Sequence, residues 1–238
     1  QVNYCPYNCT FCSSRNFQDS AGGGRTMVVS LSGEQFVEFI QRGYNAYPQL
    51  QTILIQDDNF MMGLKDRKLE KIVEIMNRKK QQGDIPAYLS FIAQSRVDNV
   101  NLRRLRMLKE ANFRMIGYGV ESFSQRMLDE MRKETTVEIA EQTLRDTLSV
   151  GIRPYANTIL TAPNGTFHDM FHTIDRCVFY LERGAEIGSY NFIIPLPGSR
   201  NGELNRYPPE LVEFRDVRVR FTEHTFRKAT RLLPSDPR

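Results

Sequence analysis

The stretch FRMIGYGVES, residues 113–122, reads as a short apolar strand that runs straight into a carboxylate. A lone charge after an apolar run is costly to bury, so Glu121 asks for a partner or a purpose. Before this strand, NLRRLRMLKEANF (101–113) sets Leu102, Leu105 and Leu108 at helical spacing. After it, a helical region covers about 124–150, with Thr135 and Thr136 marking a break or a new cap inside it.

The same alternation extends both ways. QTILIQ (51–56) and AYLSFIA (87–93) read as strands, as do GIRPYANTIL (151–160) and EIGSYNFII (186–194). Helices are expected over about 66–82 and 167–183, and Ser32 with Gln35 makes a capping box for a helix that runs to about Ala46. The polar SSRNFQDSAGGGRTM (13–27), with its three successive glycines, reads as a loop. Five strands separated by helices, with room for a further short strand before Cys5, imply right-handed crossovers and a parallel sheet. The expected fold is α/β, a partial or complete TIM-like (β/α)6 barrel with parallel strands. Residues 1–200 form this core; 201–238, rich in charge, proline and arginine, read as a linker or the start of a truncated C-terminal extension.

In such a sheet, ligands meet the carboxyl ends of strands and the loops that follow. That rule selects one rim: the cysteine loop at 5–12, then Asp57, Asp58 and Asn59, then Gln94 and Arg96, then Glu121 and Ser122, then 161–165, and finally 191–200.

Bulk properties narrow the function. A chain of 238 residues buries enough surface to fold without a metal or disulfide to rescue a small core. Its net charge of +4 comes without a dense basic stripe, so a nucleic-acid partner is not expected. No run of about 18 apolar residues is present, so no membrane span is expected. Three of the four cysteines cluster, unlike a secreted disulfide framework, and a reducing, cytoplasmic setting fits better. The abrupt start at Gln1 suggests a piece of something longer.

Cys5 and Cys9 are four positions apart, and Cys9 and Cys12 three. A disulfide would leave one thiol unpaired and close too short a loop to stabilise much. Structural zinc prefers four protein ligands. The histidines are distant; His168 and His172, at i and i+4 on a helix, lack a third local ligand and read as a wet helix face. Iron–sulfur chemistry suits three thiolates, because a four-iron cluster can leave its fourth iron open. Cys177, among Ile174, Val178 and Leu181 at helical spacing, reads as a buried small residue instead of a fourth ligand. Three reduced cysteines without metal remain the plain alternative.

The spacing CxxxCxxC resembles the signature of the radical S-adenosylmethionine (SAM) superfamily, and the chain looks like the core of its cobalamin-associated branch. The likeness covers about residues 1–200. It includes DDNF at 57–60, QSRVD at 94–98, GVES at 119–122, the run from Glu121 to Met131, and PLPGS at 195–199. It implies a 4Fe-4S cluster on Cys5, Cys9 and Cys12, with SAM chelating the open iron. An electron passing through the cluster would cleave SAM to methionine and a 5′-deoxyadenosyl radical. Phe11 would pack by the adenine, or anchor the loop. Asp57, Asp58 and the adjoining Asn59 match the segment that meets the SAM amino group; as plain loop residues they would cap local backbone. Glu121 and Ser122 match the position that meets ribose and methionine. Gln94 and Arg96 would meet carboxylate or ribose, although Arg96 could instead pair with Asp98. Asn191 would face the adenine. No catalytic acid or base is assigned.

One departure stands out. Relatives carry a glycine-containing stretch after the fifth strand, where this chain reads ILTAPNG, with only Gly165 left. The resemblance implies a small-molecule substrate, an electron donor such as flavodoxin or ferredoxin, and cobalamin held by a separate domain missing before this core. Methyl transfer is the favoured reaction. Cyclisation, oxidoreduction or rearrangement without methyl transfer is the alternative, and a zinc-binding or partner-binding module is the reading from a different class. Methylthio transfer to tRNA would ask for further cysteines and a basic RNA module, neither of which the sequence contains.

Overall fold

The computed structural model describes residues 5–21, 30–62, 64–191, 193, 196 and 199–201. In chain order the elements are α1 (Ser14–Ala21), α2 (Gly33–Ala46), β1 (Thr52–Ile55), α3 (Asp66–Gln81), β2 (Ser90–Arg96), α4 (Leu102–Glu110) and β3 (Phe113–Glu121). Then follow α5 (Gln125–Glu130), α6 (Val137–Ser149), β4 (Arg153–Ile159), α7 (Phe167–Leu181) and β5 (Glu186–Asn191). The five described strands pair in chain order, and every pairing is parallel.

Parallel neighbours need crossovers, and each one here is helical. Because the sheet grows in one direction only, right-handed crossovers lay the helices on one face. The other face is left as the inner wall of a TIM-like barrel. In β4, Pro154, Ala156 and Thr158 are buried, whereas Arg153, Tyr155, Asn157 and Ile159 keep some exposure on the opposite face.

The core lies between sheet and helices. Phe36, Phe60, Phe113 and Phe91 form a chain of rings with successive centroids 5.4 to 5.7 Å apart. The apolar spacing of α3 buries Leu69, Ile72, Val73 and Met76 as one stripe. Tyr118 is fully buried, its hydroxyl shared with Thr147 at 2.9 Å. The expected capping box opens α2, with the Gln35 N–H donating to Ser32 Oγ at 3.1 Å and the Ser32 N–H donating to Gln35 Oε1 at 2.9 Å.

Two elements differ from expectation, and at a third the structure chooses between a break and a new cap. Part of the polar segment read as a loop is helix α1. Its Arg15–Asp19 pair sits one turn apart at 3.6 Å, and Gln18 accepts from the Cys5 N–H at 3.1 Å. Short-range polar contacts hold this turn, and they leave no apolar stripe to read. β2 starts at Ser90 and runs on through Gln94, Ser95 and Arg96, because pairing of these three with Gly117, Tyr118 and Gly119 of β3 overrides their polarity. Thr136 settles the break after α5 by capping α6, accepting from the Ile139 N–H at 3.3 Å. The expected strand before Cys5, the glycines at 22–24, most of PLPGS and the tail beyond residue 201 lie outside the described residues.

Asp169 ties α7 to α5. It completes a capping box with Thr166, accepts from Ser124 Oγ at 2.6 Å, and pairs with Arg126. Burial opposes its charge, but the hydrogen bonds from Ser124, Thr166 and Arg126 outweigh that and hold its carboxyl below the usual carboxylate range. A depressed folded-state value stabilises the fold above the unfolded value of about 3.9, and that contribution fades as pH falls through the folded value. Asp169→Asn should therefore cost about 1–2 kcal/mol in urea denaturation at pH 7. The gap to wild type should narrow on acidification below about pH 4; a gap that stays constant with pH would contradict the assignment.

Candidate active site

The carboxyl ends of β1 to β4 and the cysteine loop meet at one rim. There Cys5, Cys9 and Cys12 line a cavity of about 230 Å³ with Phe11, Asp58, Asn59, Gln94, Arg96 and Glu121 of the expected set. Lys133, Asn157 and Tyr7, none of them expected, line it too. A larger groove of about 580 Å³ lies between α3 and α4 on the outer layer, and no expected site residue lines it.

Glu121 ends β3 with a left-handed backbone, φ 63°, where the β3–β4 register shifts. That conformation costs a non-glycine residue roughly 1–2 kcal/mol. It turns the carboxylate onto Lys133 Nζ at 2.7 Å, with the two side chains 10% and 6% exposed. Lys133 is turned inward in the same way, between Arg132 at φ 49° and Glu134 at φ 54°, just past α5. Gly119 makes the pair possible: a Cβ there would lie 2.5 Å from Glu121 Oε1 and 2.7 Å from Lys133 Nζ. A buried pair of this kind is a weak source of stability, because desolvation offsets its attraction. Its backbone cost at a cavity wall points to function.

Arg96 closes β2 and is 5% exposed. It holds Asp98 through Nε at 2.9 Å and Nη2 at 2.7 Å, donates from Nη2 to the Lys133 carbonyl oxygen at 2.6 Å, and reaches Cys9 Sγ from Nη1 at 3.8 Å. Tyr7 covers the guanidinium, 3.7 Å from its ring centroid. Asn59 bridges neighbouring strand ends: its Oδ1 accepts from the Arg96 N–H at 3.3 Å and its Nδ2 donates to Asn99 at 2.6 Å.

The cysteine loop is fastened on both sides. Thr10 donates its N–H to the Met131 carbonyl at 2.9 Å and accepts from the Asn201 N–H at 2.9 Å. Phe11 rests on Met127, Met131 and Ala162. The three thiols are free and partly exposed. Burial pushes the Cys5 and Cys9 thiols up, while Lys133 and Arg96 pull Cys9 the other way. The Ser14 N–H donates to Cys12 Sγ at 3.4 Å. Among the described residues no three His, Cys, Asp or Glu are gathered around a point that would hold a single metal ion. A four-iron cluster asks instead for thiols spread around a wider space, and three free thiols on one cavity, with donors aimed at two of the sulfurs, fit it.

Some expected residues stand apart. Ser122 does not line the cavity: its hydroxyl meets Thr173 Oγ1 at 2.9 Å and accepts from the Ser124 N–H at 3.1 Å, so it joins β3 to α7. Asp57 is half-buried outside the lining, and the Asn191 side chain lies outside the described residues. Cys177 is fully buried, and burial pushes its thiol up to about 11. His168 and His172 are exposed, their rings 6.4 Å apart. At the departure from the family pattern, Ala162 supplies the small residue beneath Phe11, and Thr161 Oγ1 accepts from the Ile193 N–H at 2.9 Å. Asn157 was open to sequence reading through the alternation of its strand. Lys133, twelve residues past Glu121 and beyond a helix, carried no such signal.

Comparison with known proteins bears on the family and the fold. The model of the radical SAM superfamily matches residues 2–177. An uncharacterised methyltransferase of Pyrococcus horikoshii, PH0819, is 25% identical over 196 residues, which is 82% of this chain and 39% of that protein. Among solved structures, the cobalamin-dependent SAM radical enzyme OxsB superposes with a TM-score of 0.68 at 17% identity, over 95% of this chain and 35% of its own. The radical SAM methyltransferase TsrM of Kitasatospora setae gives 0.69 at 16% identity, over 84% of this chain and 35% of its own. At these identities the structures speak for the fold, and the chain spans well under half the length of each relative. With its three cysteines, its one-way parallel sheet and a family match over most of its length, the chain belongs to the radical SAM superfamily.

Proposed function

We propose that this chain is the radical core of a cobalamin-dependent methyltransferase acting on a small molecule. The observation that carries the reading is the shared cavity: three free thiols, the Glu121–Lys133 pair and the Arg96 guanidinium line one space of about 230 Å³. Methyltransferase and cobalamin both come from the names of its relatives and support the finer part of the proposal.

In this reading Cys5, Cys9 and Cys12 would hold a 4Fe-4S cluster, which would supply the electron for cleavage of SAM. The protein's part is recognition and shielding. The methionine end of SAM is a zwitterion, and the cavity offers one group for each charge. Lys133 Nζ suits its carboxylate; Glu121, with Asp58 at the rim, suits its ammonium and the ribose hydroxyls. Gln94 and Asn157 add neutral amide donors and acceptors on the inner wall. Phe11 presents an aromatic face for adenine, and Met127, Met131 and Ala162 close the space behind it against water. The core would span residues 1–200. A cobalamin domain outside this chain, a low-potential flavodoxin or ferredoxin and a cytoplasmic setting complete the proposal.

Anaerobic reconstitution of the full-length protein should yield methionine from SAM only with a reductant present. Methylated substrate should require methylcobalamin, whereas cleavage to 5′-deoxyadenosine with no corrinoid bound would favour cyclisation, oxidation or rearrangement. Replacing Cys5, Cys9 and Cys12 together by alanine should abolish the sulfur-to-iron charge-transfer absorbance and the bound iron; retention of both would defeat the cluster assignment. Lys133→Gln should keep its iron and bind SAM about ten- to hundredfold more weakly by calorimetry, the range for a hydrogen bond to a charged group.

A further inference from the structure

Arg96 is a buried cation whose directions are almost all taken by protein acceptors. Asp98 receives one edge of the fork, the Lys133 carbonyl receives a second bond from Nη2, and the Tyr7 ring covers a face. The remaining terminal nitrogen, Nη1, meets the sulfur of Cys9 at 3.8 Å. An arginine needed only to fasten β2 to the loop after α5 would be satisfied by Asp98 and Lys133. This one is clamped so that its last donor faces a thiol of the cysteine trio.

We propose that Arg96 is a positioning residue that raises the reduction potential of an iron–sulfur cluster on Cys5, Cys9 and Cys12, through its charge and its hydrogen bond to the Cys9 sulfur. This rests on the reading that those cysteines hold a cluster. Reduction moves one electron from an external low-potential donor onto the cluster, breaks no bond and adds one negative charge to the irons and their sulfur ligands. A guanidinium in contact with a ligand sulfur favours the charged product, and burial leaves little water to screen it. Asp98 opposes this effect. Its carboxylate is the counter-ion of Arg96, does not line the cavity, and cancels part of the guanidinium field. Lys133 acts on the Cys9 sulfur in the same direction, and Glu121 at 2.7 Å opposes it as Asp98 opposes Arg96. The pair Arg96–Asp98 is then an adjustable dipole with its positive end toward the cluster.

The opposed signs make the test. The full-length protein is reconstituted with iron and sulfide, its iron content is measured, and the cluster is titrated against solution potential by electron paramagnetic resonance. Arg96→Gln should lower the reduced-to-oxidised ratio at fixed potential at least tenfold, a shift of about 59 mV for one electron. Arg96→Lys, which keeps the charge and loses the fork, should move the same way by less. Asp98→Asn should move the ratio upward. A merely structural arginine predicts potentials that stay put, or that fall alike in Arg96→Gln and Asp98→Asn, and either outcome overturns the proposal. If Arg96→Gln fails to retain iron, the signs of Arg96→Lys and Asp98→Asn decide. A wild-type protein that binds no iron would defeat the cluster reading itself, which separates that failure from this one.

Discussion

The ion pair between Glu121 and Lys133 governs the arrangement of the rim. Two opposite charges are held out of water at the end of a buried strand, and the backbone bends into left-handed conformation at Glu121 and on both sides of Lys133 to bring them together. Gly119 is the space they occupy. Nothing about packing a parallel sheet asks for this. An apolar pair would fold at least as well. In the function we propose, the pair is a reserve of two charges for a zwitterionic ligand to meet, each already desolvated and already aimed.

The rest of the architecture brings other groups to that place. Because the strands follow one another across the sheet in chain order, each carboxyl end falls beside the previous one. Asn59, Arg96, Glu121 and Asn157 are far apart in sequence, yet they become neighbours by the same repeated step. The cysteine loop is not part of the described sheet, and its position depends on specific contacts instead: Thr10 on Met131, Phe11 on the methionines and Ala162, Cys5 on Gln18, and Cys9 beneath Arg96.

What could be read from the sequence follows from which forces are periodic. The strand at 153–159 and the stripe of α3 announce themselves, since burial on one side repeats every second residue or every helical turn, and the strand at 113–121 announces itself as a largely buried apolar run. The rim residues Asp58, Asn59, Gln94, Arg96 and Glu121 were legible because strand ends share one edge. Helix α1 was not legible, because polar side chains reaching back to the cysteine loop hold it and produce no apolar rhythm. Lys133 escaped notice because its place depends on how α5 terminates, a matter of backbone dihedrals at Arg132 and Glu134. Ser122 shows the converse: it adjoins Glu121, yet the turn after the strand points its hydroxyl to Thr173 on α7. Adjacent residues at the end of a strand face opposite sides, and the left-handed turn at Glu121 completes the separation.

The bond from the Asn201 N–H to the Thr10 carbonyl joins the two extremities of the described fold, and Thr10 in turn holds Met131. Thr10 lies between Cys9 and Phe11, so this short backbone relay is a lever arm. A displacement of residue 201 toward or away from the barrel mouth tugs on the peptide between a sulfur and the aromatic face beside it. The tie between residue 201 and the cysteine loop is therefore made by backbone atoms alone, independent of any side chain.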